Sequence, residues 1–388
     1  MQLTEVTDFR TQKDFLDVAR LIYKGEENWV CPLDNDINNI FNPAENNYYQ
    51  HGEAIRWILT NGQGQLIGRI AAFVDHDAIR GTELPTGGCG YFECIDDQKA
   101  ADMLFNGAKD WLVQKGVEAM DGPINFGEND KYWGLLVEGF TPPAYEVPYN
   151  LPYYQQLFEA YGFQVYYRQE GFHMDLKKEV PERFWKIAEW VSKKPGYSFE
   201  HFSFKRLDQH AEDFTKVFNE AWASFKENFK PMKVEYVKEF INKAKVILEE
   251  KFIWLAYYEG EPIAIYLMYP DVNQIFKHFN GKLNLINKLR LLYMIKKNKV
   301  TRAKGILMGV VPRFQKLGIE SAFIWHLNQV LQKMPHYTEL EFNWVGDFNP
   351  PMRKLWSSVG AYPAKNYITY RYLFDKNRIF ERYPIPES

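Results

Sequence analysis

The sequence predicts an α/β (α+β) protein of two similar domains in tandem, each built on a mixed sheet around a parallel strand–helix–strand unit. Three observations predict it. Two hairpin signatures lie about half a chain apart, a strand–long helix–strand run follows each of them, and each half ends in a short helix stopped by glycine.

The hairpins come first. Residues 55–75 run apolar through Trp57, turn at Asn61-Gly62-Gln63-Gly64 and continue to Asp75; residues 252–271 run through Trp254, turn at Glu259-Gly260-Glu261 and end at Asp271. Apolar β-rich runs around a glycine turn mark a hairpin. The crossover units follow: Gly90–Ile95, Ala100–Lys115 and Glu118–Ile124 in the first half, and Ile306–Val311, Ile319–Lys333 and Thr338–Val345 in the second. Ala322, Phe323, Leu327, Val330 and Leu331 recur at helical spacing, and a strand–helix–strand of this length implies a right-handed parallel crossover. The short helices span 152–163 and 350–361. Gly162 and Gly360 stop them because the chain must leave a helix end with positive φ. Each is followed by a β-rich run, Gln164–Leu176 or Tyr367–Phe374. The tryptophan pair and the glycine pair are offset by 197 and 198 residues, so both features obey one repeat. The boundary is placed at Leu176, giving domains 1–176 and 177–388, with a helix Pro181–Lys194 connecting them.

Composition excludes several classes. With 388 residues, 46% hydrophobic and 25% charged, the chain has enough apolar material for a core in each half, and its net charge of −3 gives no case for nucleic acid. Cys31, Cys89 and Cys94 lack metal or disulfide spacing and read as reduced, buried thiols. The first residues carry no basic stretch before an apolar run, and no window approaches 18 apolar residues, so a cytoplasmic location is expected. His326 and His336 have no ligand spacing, and no metal is expected.

The chemistry concentrates in Gly305–Ala322: a buried strand, a tight loop and a helix start. Loop amides and the first amides of a helix bind anions, because they lack partners and the helix dipole favours negative charge. Gly318 permits close approach, and Arg313 and Lys316 add positive charge. Here the chain resembles the GNAT superfamily of acyl-CoA-dependent N-acyltransferases, whose phosphate loop reads Q/R-x-x-G-x-G/A. This chain has Gln315-x-x-Gly318-x-Glu320, with an acid in place of the second glycine. The resemblance implies two tandem GNAT-like domains with mostly antiparallel sheets. It implies acyl-CoA as donor, held by Val310, Val311, Arg313, Gln315, Lys316, Leu317, Gly318, Ile319, Glu320 and Ser321. Val310 and Val311 stand where the family's splayed strand lends an amide to the thioester. Asn349 inherits a role in holding the CoA arm, beside its plain reading as an N-cap. The first half reads Ile95-Asp96-Asp97-Gln98-Lys99 at the equivalent place, without glycine and with two acids, and is read as a degenerate copy that shapes the acceptor cleft.

Glu339, Glu341 and Asn343 share one face of the following strand. Glu341, nearest its middle, is the candidate for steering or deprotonating an amine, against the plainer reading of a salt-bridged strand face. The tyrosine that many family members use to protonate the thiolate is replaced by Phe158 and Trp356, which leaves water or another tyrosine such as Tyr367. Glu128, Asn129 and Asp130 follow a strand end in the first half and are candidates for recognising a polar acceptor, or else turn formers. From Val272 to Leu307 no acid occurs, while nine lysines and arginines interleave with apolar residues. A solvated helix, a peripheral membrane contact through 277–304, an RNA-binding strip and a CoA clamp all remain open, and no nucleic acid is the expectation carried forward. Gly122-Pro123-Ile124-Asn125-Phe126 and Leu136-Val137-Glu138-Gly139-Phe140 look like a bacterial group of tandem N-acyltransferases to which bacterial ceramide synthases are related. That resemblance implies transfer of an acyl group to a primary amine, of long-chain sphingoid type. The alternatives are a Fem-like aminoacyl-tRNA-dependent transferase and a non-catalytic pseudo-acyltransferase that binds ligand or protein.

Overall fold

A computed structural model describes residues 1–223 and 231–385. The first half contains β1 (Gln2–Glu5), α1 (Phe9–Ile22), α2 (Asp34–Ile40), β2 (Gly52–Thr60), β3 (Leu66–Asp75), α3 (His76–Ile79), β4 (Thr86–Cys94), α4 (Gln98–Gln114), β5 (Ala119–Gly122), β6 (Leu135–Glu138), α5 (Tyr154–Tyr161) and β7 (Gln164–Asp175). The second half contains α6 (Glu182–Ser192), β8 (Tyr197–His201), α7 (Leu207–Trp222), α8 (Val234–Ala244), β9 (Ile253–Tyr258), β10 (Glu261–Pro270), α9 (Asn273–Phe276), α10 (Leu285–Lys296), β11 (Arg302–Val310), α11 (Ile319–Leu331), β12 (Glu339–Gly346), α12 (Pro350–Ser358) and β13 (Tyr362–Leu373).

The hairpins expected from the sequence are β2–β3 and β9–β10, both antiparallel. The crossover units are β4–α4–β5 and β11–α11–β12, and both strand pairs are parallel. Two strands begin earlier than their hydrophobic pattern indicates. In β4, Gly87, Gly88 and Gly90 lie within the strand, where glycine is normally disfavoured. At Gly90 the chain passes too close for a side chain, since a Cβ would lie 2.0 Å from the Ile124 carbonyl oxygen; at Gly87 and Gly88 a Cβ would meet the side chains of Leu112 and Phe73 at 2.5 and 2.2 Å. In β11, Arg302 and Lys304 are buried inside the sheet, Arg302 paired to Asp271 and both hydrogen-bonded to carbonyls of the first half, and so they break the apolar run that marks a strand.

The strands of the described residues form one 13-stranded sheet, in the order β1-β2-β3-β4-β5-β13-β7-β12-β11-β10-β9-β8, with β6 paired to β13. The last strand of each half is therefore exchanged. β7 pairs with β12, from Glu339↔Asp175 to Gly346↔Gln169, and β13 pairs with β5, from Tyr370↔Gly122 to Leu373↔Ala119. The cores follow the exchange. Phe172 and Met174 of β7 pack in the core of the second half, while Ile368, Tyr370 and Tyr372 of β13 pack in that of the first. Leu176 directly follows β7, and α6 then packs along α11.

Candidate functional site

The loop after β11 contains one short 3₁₀ turn, Pro312–Phe314, and then two residues with positive φ, Lys316 at 63° and Gly318 at 85°. Gly318 is favoured by its φ, which lies in the left-handed region, and a Cβ there would sit tightly against the Val191 side chain of α6 at 3.1 Å. It is the N-cap of α11 and supplies no capping side chain. Ala322 is the first residue of the helix to bond back, to the Gly318 carbonyl at 3.2 Å. The amides of Ile319, Glu320 and Ser321 thus open the helix without an intrahelical acceptor. Lys316 and Leu317 are exposed, and Arg313 is paired to Glu261 at 2.5 Å. The Gln315 side chain turns inward and donates to the Val310 carbonyl at 3.1 Å. Burial raises the Glu320 pKa, and its own backbone amide opposes the rise.

The equivalent helix start in the first half is closed. Asp97 caps α4, accepting from the amides of Lys99 and Ala100 at 2.8 and 3.4 Å. The two starts differ in backbone as well as in capping: Gly318 is left-handed and leaves the first amides of α11 uncapped, whereas Asp97 is extended and satisfies those of α4.

Beyond the loop the sheet opens. β11 and β12 pair only from Arg302↔Glu339 to Gly305↔Phe342, then diverge although both continue for several residues. The Val311 amide donates to Ile263 of β10 at 2.9 Å, so it is held in the sheet. By the alternation of a strand, the amides of Met308 and Val310 point the other way, into the fork. Of the two valines, Val310 is the one placed to lend an amide. Within the fork, the Asn343 side chain donates to the Ile306 carbonyl at 3.3 Å, and its own Oδ1 is buried without a partner. The corresponding fork between β4 and β5 is filled: Ile124 donates to Cys89 across it at 2.9 Å.

Neighbouring residues of a strand face opposite sides of the sheet, so the two faces of the fork differ. On the face covered by α11 and α12, Tyr266 of β10 brings its hydroxyl to 3.2 Å from where a Gly305 Cβ would be, at the apex of the fork. That hydroxyl is buried, has no hydrogen-bond partner, and shares an apolar hollow with Leu327, Leu340, Phe342 and Trp356. Burial raises its pKa, so it stays protonated. Trp356 stacks on Phe342 at 3.9 Å, in the place where the family resemblance would put a tyrosine. Tyr367 instead packs on Trp133 at 4.7 Å and makes only a long 3.5 Å contact to the Pro148 carbonyl.

On the other face lies a buried ion cluster. Glu341 accepts from Lys365 at 2.9 Å on both oxygens and meets Arg302 at 3.2 Å; Arg302 also binds Asp271 at 2.7 Å. Lys365 and Arg302 hold the Glu341 carboxyl below the usual range despite its burial. A carboxylate so placed is a fixed anion and a weak proton acceptor, in line with the salt-bridged of its two readings. Asn349 is exposed and caps α12, its Oδ1 accepting from Met352 at 3.3 Å, the plainer of its two readings.

Glu128, Asn129 and Asp130 project from the first half toward this face. Asn129 is structural: Trp344 of β12 donates to its carbonyl at 2.9 Å, and its side chain donates to Tyr167 at 3.1 Å. Glu128 accepts from Tyr48 at 2.8 Å. Asp130 is open to water yet ringed by protein, and desolvation lifts its pKa to about 6; Glu146 raises it further and Lys131 opposes. Asp36 is lifted to about 6 in the same way while accepting from Tyr145 at 2.8 Å. Glu146 accepts from Tyr269 of β10 at 3.2 Å, with Lys131 at 3.9 Å. Asp36, Glu128, Asp130 and Glu146 together form an acidic cleft between the halves, beside the apex of the fork. Asp36, Glu146 and Tyr266 were not singled out from the sequence. Positive φ at Tyr132 and Glu146 is the local mark of the cleft, and it is visible only in the structure.

His326 is sandwiched between Phe199 and Trp254 at 4.9 and 5.1 Å, and its pKa falls to about 4. Cys31, Cys89 and Cys94 are buried and free. Among the described residues His51, Asp75 and Asp77 bring possible ligand atoms within 4.8 Å of one another, but Asp75 already binds His51 at 2.8 Å and caps α3. No described helix is long and apolar enough to cross a membrane.

No family model matches the chain. It is 26% identical over 366 residues to a bacterial ceramide synthase from Caulobacter vibrioides (strain NA1000 / CB15N), covering 92% of this chain and 94% of that protein. It is also 26% identical over 373 residues to protein YghO of Escherichia coli (strain K12), covering 92% of each. Among solved structures, a tandem GNAT protein from the clavulanic acid biosynthesis pathway superposes with a TM-score of 0.57 at 12% identity, covering 96% of this chain and 98% of that one. A GCN5-related glucosamine N-acetyltransferase region within a fungal multi-domain β-N-acetylglucosaminidase gives the same TM-score and identity, covering 96% of this chain and 38% of that one. The chain has the fold of the tandem GNAT proteins and is similar over nearly its whole length to a bacterial ceramide synthase.

Proposed function

We propose that the chain is an acyl-CoA-dependent N-acyltransferase whose acceptor is a primary amine of long-chain, sphingoid-like type. The observation that carries the reading is the uncapped start of α11 beside an open fork, set against the Asp97-capped start of α4 beside a filled one. The uncapped amides at the start of α11 suit a diphosphate. The Val310 amide, facing the fork, suits a thioester carbonyl whose oxygen gains negative charge as the amine attacks. The acidic cleft draws in an ammonium group, and Asp130, with a pKa near 6, accepts its proton near neutral pH. On the opposite face the Tyr266 hydroxyl donates a hydrogen bond that stabilises the leaving thiolate. Glu341, fixed by Lys365 and Arg302, supplies a constant charge behind the cleft. The name of the ceramide synthase relative supports the choice of a long-chain amine acceptor.

A thermal-shift series with CoA, acetyl-CoA and palmitoyl-CoA tests the donor side. A ligand at 100 times its dissociation constant adds about 2.7 kcal/mol of stability. Gly318→Glu is expected to abolish the shift. If none of the three ligands shifts the wild type, the acid at Glu320 closes the cradle and a non-catalytic binding role replaces this reading.

A further inference from the structure

Helix α10 carries apolar side chains on two opposite faces. The inner face is buried: Leu291, flanked by Met294 and Ile295, packs on Ile275, Phe276 and Phe279 and reaches Val30 and Leu33 of the first half. The outer face has no partner. Leu285 is 72% exposed, Ile286 75%, Leu289 60%, Leu292 48% and Tyr293 61%. At 3.6 residues per turn these five side chains fall within an arc of about 120°. Single exposed leucines are ordinary on a protein surface, but a contiguous row on one 12-residue helix is not.

The charges around the row have one sign. No acid occurs between Val272 and Leu307, and Lys282, Lys288, Arg290, Lys296, Lys297 and Lys299 border the helix. None of the six forms an ion pair among the described residues, unlike Arg206, Arg302, Arg353 and Arg371, each of which meets a carboxylate.

We propose that α10 docks the protein on an anionic lipid bilayer surface. The apolar row enters the boundary between headgroups and acyl chains, and the lysines and arginine meet the headgroup phosphates. Charge complementarity selects this occupant. A second copy of the chain would bring like charges face to face, and a nucleic acid would leave the leucine row in water. The position of the surface also has a consequence. Tyr145 packs on Phe276 beneath α10 at 5.4 Å and hydrogen-bonds Asp36 of the acidic cleft, so the docked face lies next to that cleft. The docking itself does not depend on the chain being a transferase.

Vesicle flotation tests it, using phosphatidylcholine alone, phosphatidylcholine with 30–40% (roughly) phosphatidylglycerol, and a parallel titration with unstructured RNA. Wild type is expected to float with the anionic vesicles only, and to release as salt rises. Leu289→Glu with Leu292→Glu, both at exposed positions, is expected to weaken flotation at least about tenfold with an unchanged melting temperature. Lys288→Glu with Arg290→Glu is expected to do the same while leaving the apolar row intact. Absence of flotation by wild type, or equal flotation by the leucine variant, overturns the proposal. So does a wild-type dimer that the leucine variant dissociates, or RNA binding that the leucine variant retains in full.

Discussion

Replacing Glu341 with Gln separates a structural carboxylate from a catalytic one. In the folded chain Lys365 offers its ammonium to both Glu341 oxygens at 2.9 Å, reaching across β7 from β13, and Arg302 adds a contact at 3.2 Å. All three side chains are nearly excluded from water. Gln keeps the shape but removes the charge, which leaves Lys365 buried beside a neutral amide. Breaking a buried pair in this way costs about 3–5 kcal/mol, because the remaining charge loses its compensation. For 388 residues, an unfolding entropy near 2.1 cal/mol/K per residue turns that into a fall of about 4–6 °C in melting temperature. Thermal denaturation followed by circular dichroism reads it directly. Lys365→Met combined with Glu341→Gln is expected to recover much of the loss, since no lysine charge is left unmatched. The pH dependence has a definite sign. A carboxyl lowered in the folded state stabilises it above the ordinary carboxylate range and loses that contribution as pH falls through the folded value. The gap between wild type and variant is therefore full at neutral pH and closes toward acid. A variant that melts within about 1 °C of wild type but has lost amine acylation would refute this account and return Glu341 to the role of base.

Three further outcomes are expected. Tyr266→Phe deletes a buried hydroxyl that has no partner, so stability is expected to hold or rise by about 1 kcal/mol while kcat falls at least about tenfold with CoA affinity unchanged; a kcat within a factor of two would remove Tyr266 from the mechanism. Because Asp130 accepts a proton only when ionised, the pH profile of kcat/KM is expected to rise through about 6 in wild type and to lose that limb in Asp130→Asn but not in Asp36→Asn; an unchanged limb in Asp130→Asn assigns it elsewhere. Glu320→Ala takes the acid away from the start of α11, and calorimetric titration is expected to show CoA binding tightened by about fivefold; unaltered or weaker binding would mean that the acid faces no phosphate.

Local pattern carried much of the architecture. Hairpins around Gly62 and Gly260, helices that end at Gly162 and Gly360, and the Gln315–Ser321 loop all depend on neighbours within a few residues: alternation, helical period and positive φ. The contrast between Gly318 and Asp97 at the two helix starts was legible for the same reason, since an N-cap acts on amides two and three residues away. The exchange of β7 and β13 was not legible. A strand's own residues fix its alternation, but its partner is chosen by which edge the rest of the chain leaves open. The site beyond the loop depends on that choice. Lys365 meets Glu341 only because β13 lies beside β7. Asp36, Asp130 and Glu146 come from three separate segments and meet β10 only where the halves join, and Tyr266 reads as an ordinary strand tyrosine until Gly305 leaves its hydroxyl bare at the fork. Short-range chemistry is written in consecutive residues; pKa shifts and unpartnered buried groups arise from desolvation and charge across the folded interior, which no run of sequence contains.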